Sequence, residues 1–155
     1  MTIAIPPRGT RGVTLPAVAR VLMRWLSPVM VFSFRRFGGR MRIQGRPLVL
    51  LETRGARTGK VRRTVLARFE DPRGIVVVAS NAGAAAHPSW FINLARNPEQ
   101  VWIETDGKRQ KVRPESLRGA EREEVWRRVV SLAPGYTGYR TQTDREIPIV
   151  RLVPE

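Results

Sequence analysis

Apolar residues along this chain follow two rhythms, and the rhythm changes at glycine and proline positions. Leu15, Val18, Leu22, Trp25, Leu26 and Val29 recur at helical spacing, with Arg20, Arg24 and Ser27 on the other side. The pattern predicts a basic amphipathic helix over residues 14–39, kinked or broken near Pro28 and ended by Gly38-Gly39. Its apolar face is expected to pack on the domain; contact with an acidic membrane surface is the second reading. Ahead of it, Pro6, Pro7, Gly9 and Gly12 mark residues 1–13 as a mobile arm.

From residue 40 the rhythm shortens. Residues 47–53 are almost continuously apolar, as a buried strand would be. Residues 62–70 alternate, with Val65, Ala67 and Phe69 on one face. The turn Asp71-Pro72-Arg73-Gly74 then predicts a hairpin with residues 75–80. Residues 88–96 form a short helix stopped by Asn97-Pro98. A second hairpin, 101–105 with 108–114, turns on Asp106-Gly107. Residues 119–132 repeat Val125, Trp126, Val129 and Val130 at helical spacing, 134–143 look irregular, and 147–153 read as a last strand. About six or seven strands with few flanking helices predict an α+β, mainly β fold: a small antiparallel barrel over residues 40–155, not a βαβ sheet.

Composition narrows the chemistry. A chain of 155 residues with 42% apolar content supports one domain with a real core. It has no cysteine, which excludes disulfides and thiolate chemistry, and its one histidine, His87, excludes a histidine-rich metal site. Net charge is +15, and residues 1–73 hold 16 basic groups against 3 acidic ones. That asymmetry calls for an anionic partner: nucleic acid, acidic lipid or a polyanionic small molecule. Of the 28 basic residues 25 are arginine, which grips phosphate and carboxylate in bidentate fashion, although a GC-rich genome gives the same bias. The start does not read as a secretory signal. The cleanest apolar run, residues 25–34, is about half of the roughly 20 residues that a spanning helix needs. The expected location is cytoplasmic, with peripheral contact at the inner face of the cell membrane through the first helix.

Three segments could carry chemistry. Residues 53–64, TRGARTGKVRRT, concentrate basic residues, hydroxyls and two glycines between two strands. That is what a phosphate or carboxylate site needs, and equally what a solvated hairpin loop contains. It is not a Walker A loop, because Lys60 is followed by Val61. Residues 78–98, VASNAGAAAHPSWFINLARNP, turn through small residues that would let a flat or anionic ligand approach the main chain. Ser80 and Asn81 end a strand there, and Trp90 and Asn93 share a helical side, where core packing is the plainer role for Trp90. In residues 133–149, Tyr136 and Tyr139 could wall a pocket and donate hydrogen bonds or protons, and Asp144-Arg145 is expected to form an ion pair.

Taken in order, LLETRGARTGKVR, VASNAG, HPSWFINLARNP and TDREIPIV resemble the deazaflavin-dependent nitroreductase and quinone reductase family over roughly residues 40–153. The resemblance implies a split β-barrel of the FMN-binding, pyridoxamine-phosphate-oxidase-like kind. It implies coenzyme F420, an 8-hydroxy-5-deazaflavin with a phospholactyl group and a polyglutamate tail, with FMN as the alternative cofactor. By analogy Arg57, Thr58, Gly59, Lys60 and Arg62 would hold phosphate and tail, with Thr64 and Val65 alongside. Ala79, Ser80 and Asn81 would lie by the ring, and Trp90 and Asn93 would support the same pocket. Ser80, Tyr136 and Tyr139 would face an acceptor that is a quinone, enone or nitroaromatic. The family's frequent lysine is Asn81 here, and a tyrosine of its best-known nitroreductase is Ala133. The competing functions are a non-catalytic deazaflavin or membrane-surface binder and a nucleic-acid-binding basic domain. The latter is not expected, since no helix-turn-helix or RNA-binding aromatic motif is present.

Overall fold

Strand β2 (Arg46–Arg54) organises the domain. Its neighbours are β1 (Arg42–Ile43), β3 (Val61–Ala67) and β6 (Trp102–Thr105), all antiparallel to it. The sheet continues from β6 through β7 (Lys108–Ser116), β8 (Ile149–Pro154) and β5 (Gly74–Val78) to β4 (Phe69–Asp71). The computed structural model describes residues 3–155. Its eight-stranded antiparallel sheet curls into a half-barrel, flanked by α1 (Ala17–Phe37), α2 (Ser89–Arg96), α3 (Gly119–Leu132) and α4 (Tyr136–Gln142).

The continuous apolar runs are explained by burial on both faces of a strand. Val49 and Leu51 face one core with Val77, Phe91 and Leu94. Leu48 and Leu50 face the other way, toward Phe34 of α1. Likewise Val76 and Val78 join Phe69, Trp126, Val129 and Ile149 beneath α3, while Ile75 and Val77 join the α2 side. The Asp106-Gly107 turn has positive φ at both residues, 50° and 75°, as a two-residue hairpin of matching twist requires. Gln44 and Gly45 make a similar turn between β1 and β2.

Several expectations change here. The residue 62–70 segment is two strands. β3 pairs with β2 in register from Leu48↔Ala67 to Arg54↔Val61, and only β4 forms the hairpin with β5. The segment expected to be irregular contains α4. α1 runs through Pro28 without being broken. Only its C-terminal end packs on the domain, where Phe34 is buried and Arg35 bonds Glu104 at 2.6 Å. Val18, Leu22, Trp25, Leu26, Val29 and Phe32 are exposed, so the apolar face that was expected to pack stands in the open.

The arm differs most. Met1 and Thr2 of the expected 1–13 arm lie outside the described residues, but residues 3–13 are fastened down. Ile3 is buried in the α2-side core, with Ile5 packed against it. Gly9 N–H donates to Ala85 O at 2.9 Å and Val13 N–H to Gly83 O at 3.0 Å. The Thr10 hydroxyl and the N–H groups of Thr10 and Arg11 all donate to the Asp144 carboxylate. Those bonds, the Thr10 hydroxyl first and then the Arg11 amide, hold Asp144 down to about 2.

Candidate functional site

The β2–β3 connection is a tight loop closed by its own backbone. Gly55 N–H donates to Lys60 O at 2.8 Å and Gly59 N–H to Gly55 O at 2.8 Å. Gly59 takes φ 67°, which favours glycine. α2 braces the loop from beside it: Asn93 Oδ1 accepts from Ala56 N–H at 2.9 Å, and Asn97 Nδ2 donates to Arg54 O at 3.2 Å. Asn93 therefore supports the loop, and Thr58 Oγ1 accepts from Lys60 N–H at 3.3 Å within it. With the frame fixed, Arg57, Lys60 and Arg62 are exposed and form no ion pair among the described residues. The N–H groups of Arg57 and Thr58 likewise take no partner there.

Pairing sorts the rest of β3. Arg62 and Thr64 sit opposite Thr53 and Leu51, on the face that looks toward α2. Arg63 lies on the reverse face, bonded to Glu52 at 2.9 Å. Val65 is on that reverse face too, packed with Leu48, Leu50 and Phe34. Its side chain thus points away from the Arg62–Thr64 face, which corrects its expected place beside them. The sequence analogy followed consecutive numbers, whereas a strand alternates faces.

The second part is the turn after β5. Ser80 has α-helical backbone angles, and Asn81, Ala82 and Gly83 follow with φ of 45°, 51° and 78°. Left-handed backbone at a non-glycine residue costs about 1–2 kcal/mol, less at asparagine. Something must hold this turn, and several groups do. Asn81 Nδ2 donates to Ala86 O at 2.9 Å, so its side chain is turned inward. Gly83 N–H donates to Ser80 O at 2.9 Å. The main support is Arg145, 6% exposed, which donates to Ser80 O at 2.7 Å, Ala84 O at 2.8 Å, Ala79 O at 3.1 Å and Glu146 O at 3.3 Å. The expected Asp144-Arg145 ion pair is absent: Asp144 holds the arm while Arg145 holds the turn. Sequence reasoning missed this role because its partners are main-chain atoms 61 to 66 residues away.

His87 links the two. Arginine can only donate, so the 3.3 Å contact from Arg145 Nη1 makes His87 Nδ1 the acceptor. His87 Nε2 then carries the proton and donates to Pro6 O at 2.8 Å. Burial lowers the His87 pKa, the bond to Pro6 opposes this, and the Arg145 charge lowers it further. The folded protein therefore binds fewer protons here than the unfolded chain does below the ordinary value of about 6.5, so docking of the arm is complete above that pH and weakens as pH falls. Hydrogen-exchange protection of the Gly9 and Val13 amides should drop between about pH 7 and pH 5. In His87→Ala it should be low and flat with pH. Constant protection in the parent chain would contradict the link.

Tyr136 and Tyr139 lie on α4, whose C-terminal end meets the same turn: a Cβ on Gly83 would reach within 2.5 Å of Gln142. Tyr136 is buried, edge-on to Phe69 at 5.6 Å and to Tyr139 at 5.3 Å. Burial, with Tyr139 adding to it, pushes its phenol up to about 12. That keeps the phenol protonated and uncharged at neutral pH. Tyr139 is half-buried, and its hydroxyl accepts from Gln44 Nε2 at 3.3 Å. Trp90, 7% exposed, and Ala79, fully buried, belong to the core beneath the turn. A continuous set of contacts therefore runs from the cationic loop through Asn93 and α2 to the Ser80–Gly83 turn and α4. Among the described residues no cluster could hold a metal ion.

The profile of the F420H(2)-dependent quinone reductase family matches residues 28–154. An F420H(2)-dependent quinone reductase of Mycobacterium tuberculosis is 36% identical over 125 residues, 77% of this chain and 83% of the relative. The solved structure of an F420-H2 dependent reductase (FDR-A) is 39% identical, covers 69% of this chain and 94% of its own, and superposes with a TM-score of 0.62. A structure described as a domain-swapped dimer is 32% identical, covers 88% and 99%, and has a TM-score of 0.63. Campylobacter jejuni ChuZ, at 17% identity and TM-score 0.51, shares the fold.

Proposed function

The chain belongs to the F420H(2)-dependent quinone reductase family, and from there we propose that it passes a hydride from reduced F420 to a quinone. Enones and nitroaromatics are electrophiles of the same kind and belong in the same test panel. The observation that carries the reading is the β2–β3 loop. Three exposed cations, two unpartnered N–H groups and the Thr58 hydroxyl stand on a frame already closed by its own hydrogen bonds. That donor set fits phosphate and a chain of carboxylates, and it is held ready before any ligand arrives.

When bound, the deazaflavin supplies the hydride. The chain's own residues position and neutralise. Arg57, Lys60 and Arg62 would hold the anionic end, with Thr64 on the same face of β3 as Arg62. The small side chains of the Ser80–Gly83 turn would let the flat ring lie beside it. Tyr139 would border the acceptor, Tyr136 would form the wall behind it, and solvent would provide the proton. The test follows oxidised F420 by absorbance after mixing reduced F420, the protein and menadione. Turnover is expected. Tight binding without turnover on quinones, enones and nitroaromatics would make the chain a deazaflavin carrier. No binding, together with salt-sensitive DNA affinity, would replace the reading with a nucleic-acid one.

A second element concerns where the reaction happens. α1 is 21 residues long and apolar enough by length and composition to cross a bilayer. Its last turns, however, are pinned by Phe34 and by the Arg35–Glu104 pair, and Arg20 and Arg24 interrupt its free part. Residues 1–51 contain 9 arginines and no acidic residue. We propose that α1 lies on an anionic membrane surface, which would place the site where lipid-soluble quinones are found. Binding to vesicles rich in anionic lipid should fall at least tenfold in Trp25→Glu and fall with added salt. Light scattering on the same samples identifies the competing outcome: a stable dimer that buries Trp25 without lipid.

A further inference from the structure

The Ser80–Gly83 turn carries a second feature beyond its small side chains. An α-helical residue followed by a left-handed one, here Ser80 and Asn81, turns successive N–H groups toward one concave side, a backbone nest that suits negative charge. The N–H groups of Ser80, Asn81 and Ala82 take no acceptor among the described residues, whereas those of Gly83 and Ala84 do. Arg145 sets the direction of two of them. It binds Ala79 O and Ser80 O through Nη2. In a trans peptide C=O and N–H point opposite ways, so the N–H groups of Ser80 and Asn81 are aimed away from the guanidinium. Among the described residues Arg145 has no carboxylate partner, and its bonds go to both ends of the turn, Ala79–Ser80 and Ala84. Lysine could not span both, because it is a point donor and not a planar fork.

We propose that the Ser80–Ala82 backbone is an oxyanion subsite for the acceptor, with Arg145 as its positioning residue. The inference rests on the reductase reading above and deepens it. As the quinone takes up a hydride, its two new electrons leave negative charge on a quinone oxygen. One proton from solvent then completes the quinol. Donors fixed in advance at that oxygen stabilise the charge as it forms, without reorganising. They need no titratable side chain, which agrees with a site whose one nearby histidine is occupied between Pro6 and Arg145.

Backbone donors can be removed singly. Ser80 has φ −70°, a value proline accepts, so Ser80→Pro deletes the N–H while Ser80→Ala deletes only the hydroxyl. Ser80→Pro should lower kcat/KM for menadione about tenfold to a hundredfold more than Ser80→Ala does. Equal activities would overturn the subsite. The second readout needs no turnover. With oxidised F420 bound, the enolate of 2-hydroxy-1,4-naphthoquinone is titrated while amide NMR signals are followed. Shifts should concentrate at Ser80, Asn81 and Ala82 and should be lost in Arg145→Lys, each protein being saturated with F420 at its own measured affinity. Shifts that leave those amides unmoved overturn the subsite. Shifts retained in Arg145→Lys overturn the positioning role. Absence of any F420 binding by the parent chain would instead remove the reductase reading, and F420 fluorescence reports that separately.

Discussion

Replacing Arg57, Lys60 and Arg62 together by alanine should weaken F420 binding by roughly a hundredfold and leave the thermal midpoint within a few degrees. Each side chain is exposed and unpaired among the described residues, so removing it breaks no internal hydrogen bond or ion pair there. An exposed charge contact is worth up to about 1 kcal/mol, and three of them approach the roughly 2.8 kcal/mol of a hundredfold change. Arg57→Ala alone should cost about fivefold and leave the KM for the acceptor unchanged. Fluorescence titration measures both, and the deficit should shrink at high ionic strength as the parent's own binding weakens. A triple variant that binds like the parent would place the anionic end of the cofactor elsewhere. Equal losses for cofactor and acceptor would deny the loop a dedicated role.

Asp71→Ala should destabilise the fold by about 3–5 kcal/mol, a fall of roughly 10 °C in thermal midpoint for a chain of this size. The Asp71 side chain is 2% exposed and receives Arg151 at 2.7 Å and Arg128 at 2.9 Å. Burial pushes its carboxyl up, but the hydrogen bonds from Arg151, the Arg73 amide and Arg128 outweigh it, so Asp71 titrates below its ordinary value. Without it, Arg151 keeps Glu121 and Glu115 at 2.8 and 3.7 Å but remains only 6% exposed, a buried cation with its best partner gone. By contrast, breaking the exposed Lys111–Glu155 pair should cost well under 1 kcal/mol. Thermal unfolding of the two variants side by side decides it. Similar losses would mean that the Asp71 pair is better solvated than its burial indicates.

Local pattern was enough for much of the fold. Asp106-Gly107 specified its hairpin because only certain residues accept positive φ at both turn positions. The α3 spacing of Val125, Trp126 and Val129 gave that helix its exact limits, Gly119–Leu132. What escaped was decided at long range. α4 contains Gly138 and Thr137, poor helix formers, and its burial of Tyr136 against Phe69 is a contact that its own spacing does not announce. The β3–β4 break at Arg68 is set by pairing partners, since each strand is equally plausible as part of one longer strand. The cationic loop and the small-residue turn stood out in the sequence as candidate site segments, and the family pattern named the cofactor. Their supports were not legible. Asn93 was expected to support the ring pocket and braces Ala56 of the cationic loop, while Arg145 looked like half of an ion pair and holds the turn.

The fastening of residues 3–13 depends on an atom that is not there. Gly12 passes so close to the Gly83–Ala85 main chain that a Cβ would collide with Ala85 N, a rigid backbone atom that has no rotamer by which to yield. Gly9 is less strict, since its nearest neighbour is the end of the Asp144 side chain. The arm is therefore threaded through a gap one hydrogen wide. Any larger residue at position 12 would force the segment off the Gly83–Ala85 main chain, so the seating of residues 3–13 is decided by this one glycine, while α1 keeps its own anchor at Phe34 and Arg35.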